Sequence, residues 1–322
     1  MNMTNTGLPM GAETIAPGRT PRLCICVPTY KRPIGLARLL RSIDQLRFER
    51  VGEPAIEVIV VDNDPEASAA TTCAELTHTS RWPIVYAPEP RRGIAFARNA
   101  AVRTAQSGGA ELIAFIDDDE VPEPTWLDEL LAAMGEYQAD FVAGPVLPTF
   151  EGHVPGWILK GKFFERPRHP TGTRLEQAAT CNVLLRTRVF YELGHGFDEG
   201  LGLAGGEDTD FSLRAWHAGC VIVWADAAIA HEWNPVSRAR TAWLLRRAYA
   251  VGNNWGAFDQ RLHPRFRGAM RGLAKGLVSL PASVVRGRHS IVQSLQLVAV
   301  GVGYLAARAG FRFPAYRHTD GH

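Results

Sequence analysis

The sequence predicts an α/β protein: a mostly parallel sheet with helices on both faces, followed by a helical C-terminal extension. Three observations predict it. Continuous apolar runs at Leu23–Val27, Ile56–Val61 and Leu112–Ile116 alternate with stretches whose apolar residues recur at helical spacing, and strands of that kind are buried on both faces, as in parallel sheets. All three runs end in polar residues at their carboxyl ends, where open α/β sheets gather ligands. From about Ser237 onward acidic residues almost vanish and helical patterns take over.

Leu23–Val27 runs into Pro28-Thr29-Tyr30-Lys31-Arg32-Pro33, a buried strand followed by a turn. Leu36, Leu39, Leu40 and Ile43 then mark a helix over 34–46. Ile56–Val61 is a second strand, closed by Asp62-Asn63-Asp64-Pro65. A helix over 67–77, a short strand at Ile84–Tyr86 and a helix over 93–106 lead to Leu112–Ile116, which ends in Asp117-Asp118-Asp119-Glu120. Residues 144–180, rich in Gly, Pro and aromatics, are expected to cover the substrate as a long loop region. The chain is extended again around Asn182–Arg186, helical over Glu207–His217, and forms a strand at Val221–Trp224.

The chain has 322 residues, of which 46% are hydrophobic and 21% charged, as in an ordinary globular protein and unlike a disordered one. Its net charge of +2 hides an asymmetry. Residues 234–322 hold 14 Lys/Arg against two acids, Asp259 and Asp320, so residues 1–233 are acidic. An acidic body suits cations and a basic tail suits an anionic partner. The five scattered cysteines show no zinc spacing and are read as reduced thiols in a cytoplasmic setting. Residues 1–22, polar and without the apolar stretch of a signal peptide, are expected to be a loose tail.

Four successive acids at a strand end repel one another unless a cation or ordered donors neutralise them. Carboxylates bind hard divalent ions that bridge diphosphate oxygens, although a solvated acidic turn fits the same residues. Four segments, in order, decide how this is read: Val27 to Pro33, Val60-Val61-Asp62-Asn63-Asp64, Phe115 to Glu120, and Gly205-Gly206-Glu207-Asp208-Thr209-Asp210-Phe211. Together they resemble a family 2 glycosyltransferase of the GT-A (Rossmann-like) fold, over about residues 23–233. The bacterial exopolysaccharide type, similar to succinoglycan glucosyltransferases, is the nearest subgroup.

The resemblance implies a residue-specific site. Asp119 is the direct ligand of Mn2+ or Mg2+, and Asp117 contacts the ribose or a metal-bound water. Asp62 accepts a hydrogen bond from the base ring, usually uracil. Pro28 and Thr29 line the nucleotide, and Arg98 offsets diphosphate charge. Asp208 is the base that takes the acceptor proton, with Glu207 placing acceptor or donor sugar; capping of a helix N-terminus is the competing account of these acids. His231 completes the metal site or is structural. Asn182 lies near the donor sugar or is a turn residue at a strand start. Trp157, Phe163 and Phe164 are read as a hydrophobic patch rather than a sugar platform.

In the C-terminal region, Arg267, Arg271 and Lys275 share a helical face, and Pro281 is expected to end that helix. Such a basic amphipathic helix lies on anionic membranes; packed helices or a dimer interface are the alternatives. Residues 290–307 carry no charge but are polar in their first half, which disfavours a full crossing. No nucleic-acid-binding motif is present. The expected organisation is therefore a tail (1–22), a catalytic domain (23–233) and a basic helical region (234–322) peripheral at the inner face of the cell membrane. The expected reaction is metal-dependent, inverting transfer from a nucleotide-sugar, UDP-linked by the resemblance, to a saccharide or lipid-linked acceptor. A nucleotidyltransferase is disfavoured because Pro28-Thr29-Tyr30 stands where a Gly-rich phosphate loop belongs. An inactive sugar-nucleotide-binding or membrane-scaffold protein is disfavoured because metal acids and candidate base are both present.

Overall fold

The computed structural model describes residues 20–258 and 266–314; the expected tail lies outside them up to residue 19. The first half follows the predicted order: β1 (Arg22–Thr29), α1 (Pro33–Ile43), β2 (Ala55–Asp62), α2 (Ala70–Thr77), β3 (Ile84–Pro88), α3 (Ile94–Ser107) and β4 (Leu112–Ile116). After β5 (Glu120–Pro122) come α4 (Trp126–Glu136), β6 (Phe141–Ala143), β7 (Val146–Glu151) and α5 (Gly156–Gly161). Then follow β8 (Asn182–Arg186), α6 (Arg188–Glu192), α7 (Glu207–His217), β9 (Ile222–Trp224) and β10 (Ala230–Pro235).

Seven strands form one sheet in the order β3-β2-β1-β4-β8-β6-β9. Only β8 runs against the others, pairing antiparallel with both β4 and β6. The alternation of side chains along each strand supplies two cores. Leu23, Ile25 and Val27 face α1 and α4, where Leu36, Leu39, Leu40, Trp126 and Leu130 are buried. Cys24 and Cys26 face the other way, toward α3 and α7. Each buried leucine of α1 contributes about 2 kcal/mol, and Pro33 at its first turn presets the helical φ. All five cysteines are free and buried.

The order of the sheet matters for function. From β1 the chain moves one way to β2 and β3, then returns to place β4 on the other side of β1. That reversal opens a crevice at the carboxyl ends of β1 and β4.

A second sheet, β5-β10-β7, was not foreseen. It turns part of the expected covering loop into strand β7 and sets β10 antiparallel to β5, directly after the acidic run. The Trp233 amide donates to the Asp119 carbonyl at 2.8 Å, which extends this pairing onto the acids themselves.

Three helices complete the described chain: α8 (Thr241–Phe258), α9 (Phe266–Arg286) and α10 (Arg288–Arg308). α9 continues through Pro281, contrary to expectation. The proline is exposed, and it costs the helix one backbone bond, to the carbonyl four residues before it. α8 and α10 approach closely through glycines: a Cβ on Gly252 would lie 1.9 Å from the Val300 carbonyl oxygen, and one on Gly256 2.4 Å from that of Tyr304. The buried Asn253 side chain then ties the C-terminal segment to α8, donating to the Phe311 carbonyl at 2.9 Å and accepting from the Phe313 amide at 2.9 Å. Replacing Gly252 by Ala forces these backbones apart, at an expected cost of about 2 kcal/mol or more. Chemical denaturation checks this, and unchanged stability would contradict the close approach of α8 and α10.

Candidate active site

At the β1/β4 crevice lies a pocket of about 400 Å³. Its floor comes from strand ends: Pro28 and Thr29 at the end of β1, Asn63 after β2, and Asp117, Asp118 and Asp119 after β4. One wall is the start of α3, from Gly93 to Arg98, and another comes from the C-terminal region, with Trp243, Arg246, Arg247 and Phe313. Seven arginines line the pocket against four acids, so it attracts anions even though its floor is acidic.

The acids are held by arginines from distant parts of the chain. Arg32 donates to Asp118 at 2.8 Å and to Asp119 at 2.9 Å. Asp118 also accepts from the Thr29 hydroxyl at 2.8 Å, so it is a buried support and leaves its neighbours to face the pocket. Arg238, just after β10, donates to Asp119 at 3.3 Å. Arg98 reaches Asp117 at 3.3 Å and pairs with Glu207. Burial pushes the Asp117 carboxyl up to about 6, against the opposing pull of Arg98. Burial likewise raises Glu120 well above the usual carboxylate range.

Oxygen donors of this kind suit a hard divalent cation. Asp117, Glu120 and Cys181 also place one ligand-type atom each within 4.8 Å of one another. That group fits magnesium or manganese less well: it includes a thiol, a soft donor, and Glu120 and Cys181 are buried outside the pocket wall. Four carboxylates line the pocket, Asp117, Asp118, Asp119 and Glu232; Asp118 is held by both Thr29 and Arg32, and Glu232 pairs with Arg166 and Arg238.

Three residues expected at the site are placed elsewhere. His231 lies on β10, where successive side chains face opposite sides. Its Nε2 is 3.1 Å from Glu123 Oε1, outside the pocket wall, while Glu232 faces the pocket beside Arg166 and Arg238. Asp62 is fully buried; its oxygens accept from the Asp64 and Ala69 amides and the Tyr86 hydroxyl, which shapes the turn after β2. The residue of that turn in the pocket wall is Asn63, whose side chain accepts from Gly93 N at 2.7 Å and donates to the Glu89 and Arg91 carbonyls. Asn182 is also buried with its amide saturated: Oδ1 accepts from Trp126 Nε1 at 2.6 Å, and Nδ2 donates to the Pro145 and Ala228 carbonyls. It is the structural residue at the start of β8, joining three segments.

Glu207 and Asp208 open α7 behind Gly205 and Gly206, whose φ values of +81° and +91° suit glycine alone among ordinary residues. Glu207 turns inward to Arg98 and is 1% exposed. Asp208 is half-buried, accepts from the Thr209 amide at 2.7 Å and stands outside the pocket wall. The aromatic residues Trp157, Phe163 and Phe164 pack with Trp243 and Leu244 of α8, a hydrophobic patch as read from the sequence. Sequence reasoning missed Arg32, Arg166, Arg238 and Glu232. Arg32 stood within a quoted motif and Glu232 beside His231, whereas Arg166 and Arg238 carried no local signal.

A pocket at the switch point of a mostly parallel sheet, with acids on its floor and arginines around it, suits an anionic ligand bound at the carboxyl ends of the strands, and the class of enzyme follows from the comparison with known families. The profile described as glycosyl transferase family 2 matches residues 24–194, and that of glycosyl transferase family group 2 matches residues 112–311. This chain belongs to glycosyl transferase family 2 and is a glycosyltransferase. It is similar to succinoglycan biosynthesis protein ExoM of Rhizobium meliloti, with 35% identity over 240 residues covering 74% of this chain and 76% of that one. It is also similar to glycosyltransferase AglE of Haloferax volcanii, with 22% identity over 72% of each chain. Among solved structures, Staphylococcus aureus TarS 1–349 in complex with UDP shares the fold, with a TM-score of 0.52, 16% identity, and coverage of 93% of this chain and 95% of that one. GalNAc-T7 with UDP, GalNAc and Mn2+ shares it with a TM-score of 0.57 and 12% identity, over 91% of this chain and 57% of that one.

Burial raises the Glu207 carboxyl to about 7, with Arg98 opposing and Asp208 reinforcing the shift. The raised folded value means that Glu207 favours the fold at low pH and loses that contribution as pH climbs from the unfolded value toward 7. Stability of the natural protein relative to Glu207→Gln is therefore expected to fall by up to about 2 kcal/mol between pH 5 and 7. Denaturant titrations across that range measure it; a pH-independent difference would show that Glu207 is ionised throughout.

Proposed function

We propose that this chain transfers a sugar, with inversion and with the help of a divalent cation, from a UDP-sugar to a hydroxyl of a saccharide or lipid-linked acceptor during polysaccharide synthesis. The observation that carries this reading is the pocket in which Asp117 and Asp119 face seven arginines at the β1/β4 crevice. UDP in TarS and in GalNAc-T7, and the role of ExoM in succinoglycan biosynthesis, support the donor and product classes.

In this reading Asp119 and Asp117 hold Mn2+ or Mg2+, and His231 takes no part. The bound cation supplies positive charge against which the diphosphate leaves. Pro28, Thr29 and Asn63 line the nucleoside. Arg98 is committed to Asp117 and Glu207, so its part is to orient those acids rather than to meet phosphate. Arg246 faces the phosphates, joined by Arg166 and Arg238, which would exchange part of their pairing with Glu232 and Asp119 for them. Asp208 accepts the acceptor hydroxyl proton as that oxygen attacks the anomeric carbon. Its half-exposed position beside the buried Glu207 leaves it open to an acceptor arriving from solvent. The basic helices hold the enzyme peripherally on the anionic inner face of the cell membrane.

Calorimetric titration with UDP and with GDP, with manganese, magnesium or chelator, tests the donor site. Metal-dependent UDP binding that disappears in Asp119→Ala is expected; binding indifferent to metal removes the cation from the reading, and a preference for GDP changes the donor.

Asp208→Asn is expected to lower kcat by about a thousandfold while leaving UDP affinity within about twofold. Unchanged turnover would take the base role from Asp208.

A further inference from the structure

The packing of α9 against α10 leaves several large apolar side chains outside a contact built on glycines and serines. Glycines and serines bring the two helices close, with Leu273, Leu297 and Val298 packed on the glycines. The Ser294 hydroxyl lies 2.9 Å from that of Ser279 and 2.7 Å from that of Ser283. A Cβ on Gly276 would stand 2.7 Å from the Ser294 carbonyl oxygen, and one on Gly301 would stand 2.6 Å from Leu273 Cβ. Other large apolar side chains point outward: Leu277 is 55% exposed, Val278 81%, Val284 66% and Val285 91%. Helices meeting through small residues and serines with apolar residues outside are the arrangement found in lipid. α10 itself is apolar enough to cross a membrane and only 33% of its apolar window is buried.

The outward side of α9 changes character along its length. Arg267, Arg271 and Lys275 occupy its first half and are exposed; Leu277, Val278, Val284 and Val285 occupy its second. At 100° per residue, Val278 and Val285 lie on the same face as Arg267 and Arg271. At the turn into α10, Arg288 is directed back onto the body, with its guanidinium 4.4 Å from the Trp157 ring centroid and Nη2 3.2 Å from the Thr241 hydroxyl. Arg288 therefore does not oppose burial of the neighbouring valines, and Arg286, exposed beside them at the end of α9, has an aliphatic stem long enough to return its guanidinium to the headgroups.

A second copy of the chain is a poor occupant of this face. α8, α9 and α10 contain no acid, so a self-complementary contact here would bury Arg267, Arg271 and Lys275 without counter-charge from these helices. An anionic lipid surface supplies both missing partners: phosphates for the first half and acyl chains for the second.

We propose that the outer side of α9 is the membrane-contact surface, tilted so that Leu277, Val278, Val284 and Val285 enter the acyl region while Arg267, Arg271 and Lys275 rest on anionic headgroups. This rests on the membrane association proposed above and goes beyond it, since a basic face alone would leave the valines in water.

The test uses the full chain with vesicles of mixed phosphatidylglycerol and phosphatidylcholine. Because the native cysteines are buried, a fluorophore is placed through Val285→Cys or Arg271→Cys and challenged with nitroxides in the acyl chains or at the headgroups. The expected result is acyl-chain quenching at position 285, headgroup quenching at 271, and about tenfold weaker vesicle binding in the Val278→Asp, Val285→Asp double variant. Vesicle binding with position 285 still in water would overturn this inference and leave membrane association standing. No vesicle binding overturns both. A solution dimer that the double variant dissociates would assign the face to a second copy and overturn the proposal.

Discussion

Four carboxylates follow one another at the end of β4, and a folded chain can keep them there only if positive charge reaches them from elsewhere. Arg32 brings it from the turn after β1, Arg98 from α3, Arg166 from the segment before β8, and Arg238 from the segment after β10. Leaving such a charge buried and unpaired costs about 3–5 kcal/mol, so each arginine also fixes the approach of its own segment. The turn after β1, the small sheet and the entry to α8 converge on one strand end for this electrostatic reason. The hydrophobic layers bring the segments near, and the ion pairs set where they stop.

The same requirement shapes the site. Asp118 is used up in supporting the run, held by Thr29 and Arg32, and Asp117 and Asp119 are left at the pocket. The C-terminal region supplies Trp243, Arg246 and Phe313 to the pocket wall, and Asn253 holds the segment that carries Phe313. The basic helices therefore help to build the pocket as well as carrying the outward face of α9.

Much of this was legible in the sequence because its signals are local. An unbroken apolar strand, a polar strand end and a glycine pair before acids need only neighbouring residues to be read. The residues whose placement differs from expectation share a different cause. Whether His231 or Glu232 faces the pocket depends on the parity of β10, which is set by its pairing with β5 and invisible in a single segment. Asp62 and Asn182 have the chemistry of ligand contacts, yet their hydrogen-bonding capacity is consumed by backbone groups and by Tyr86 or Trp126. Arg166 and Arg238 acquire meaning only once folding brings them to Glu232 and Asp119. Pro281 was read as a stop because a proline lacks an amide, but the cost is tolerated where the ring faces outward.

The arginine–carboxylate pairing has a thermodynamic corollary. Asp117, Asp118, Asp119 and Glu232 are each paired with a guanidinium, so a lone cation meets competing positive charge and a lone anion meets arginines already engaged. Under the proposed function, a cation and a diphosphate entering together would release both halves, one taking the carboxylates and the other the arginines. Their affinities would then be linked, each raising the other by the same factor. Such reciprocity would make the pocket a coincidence detector, selective for the pair over either ion alone.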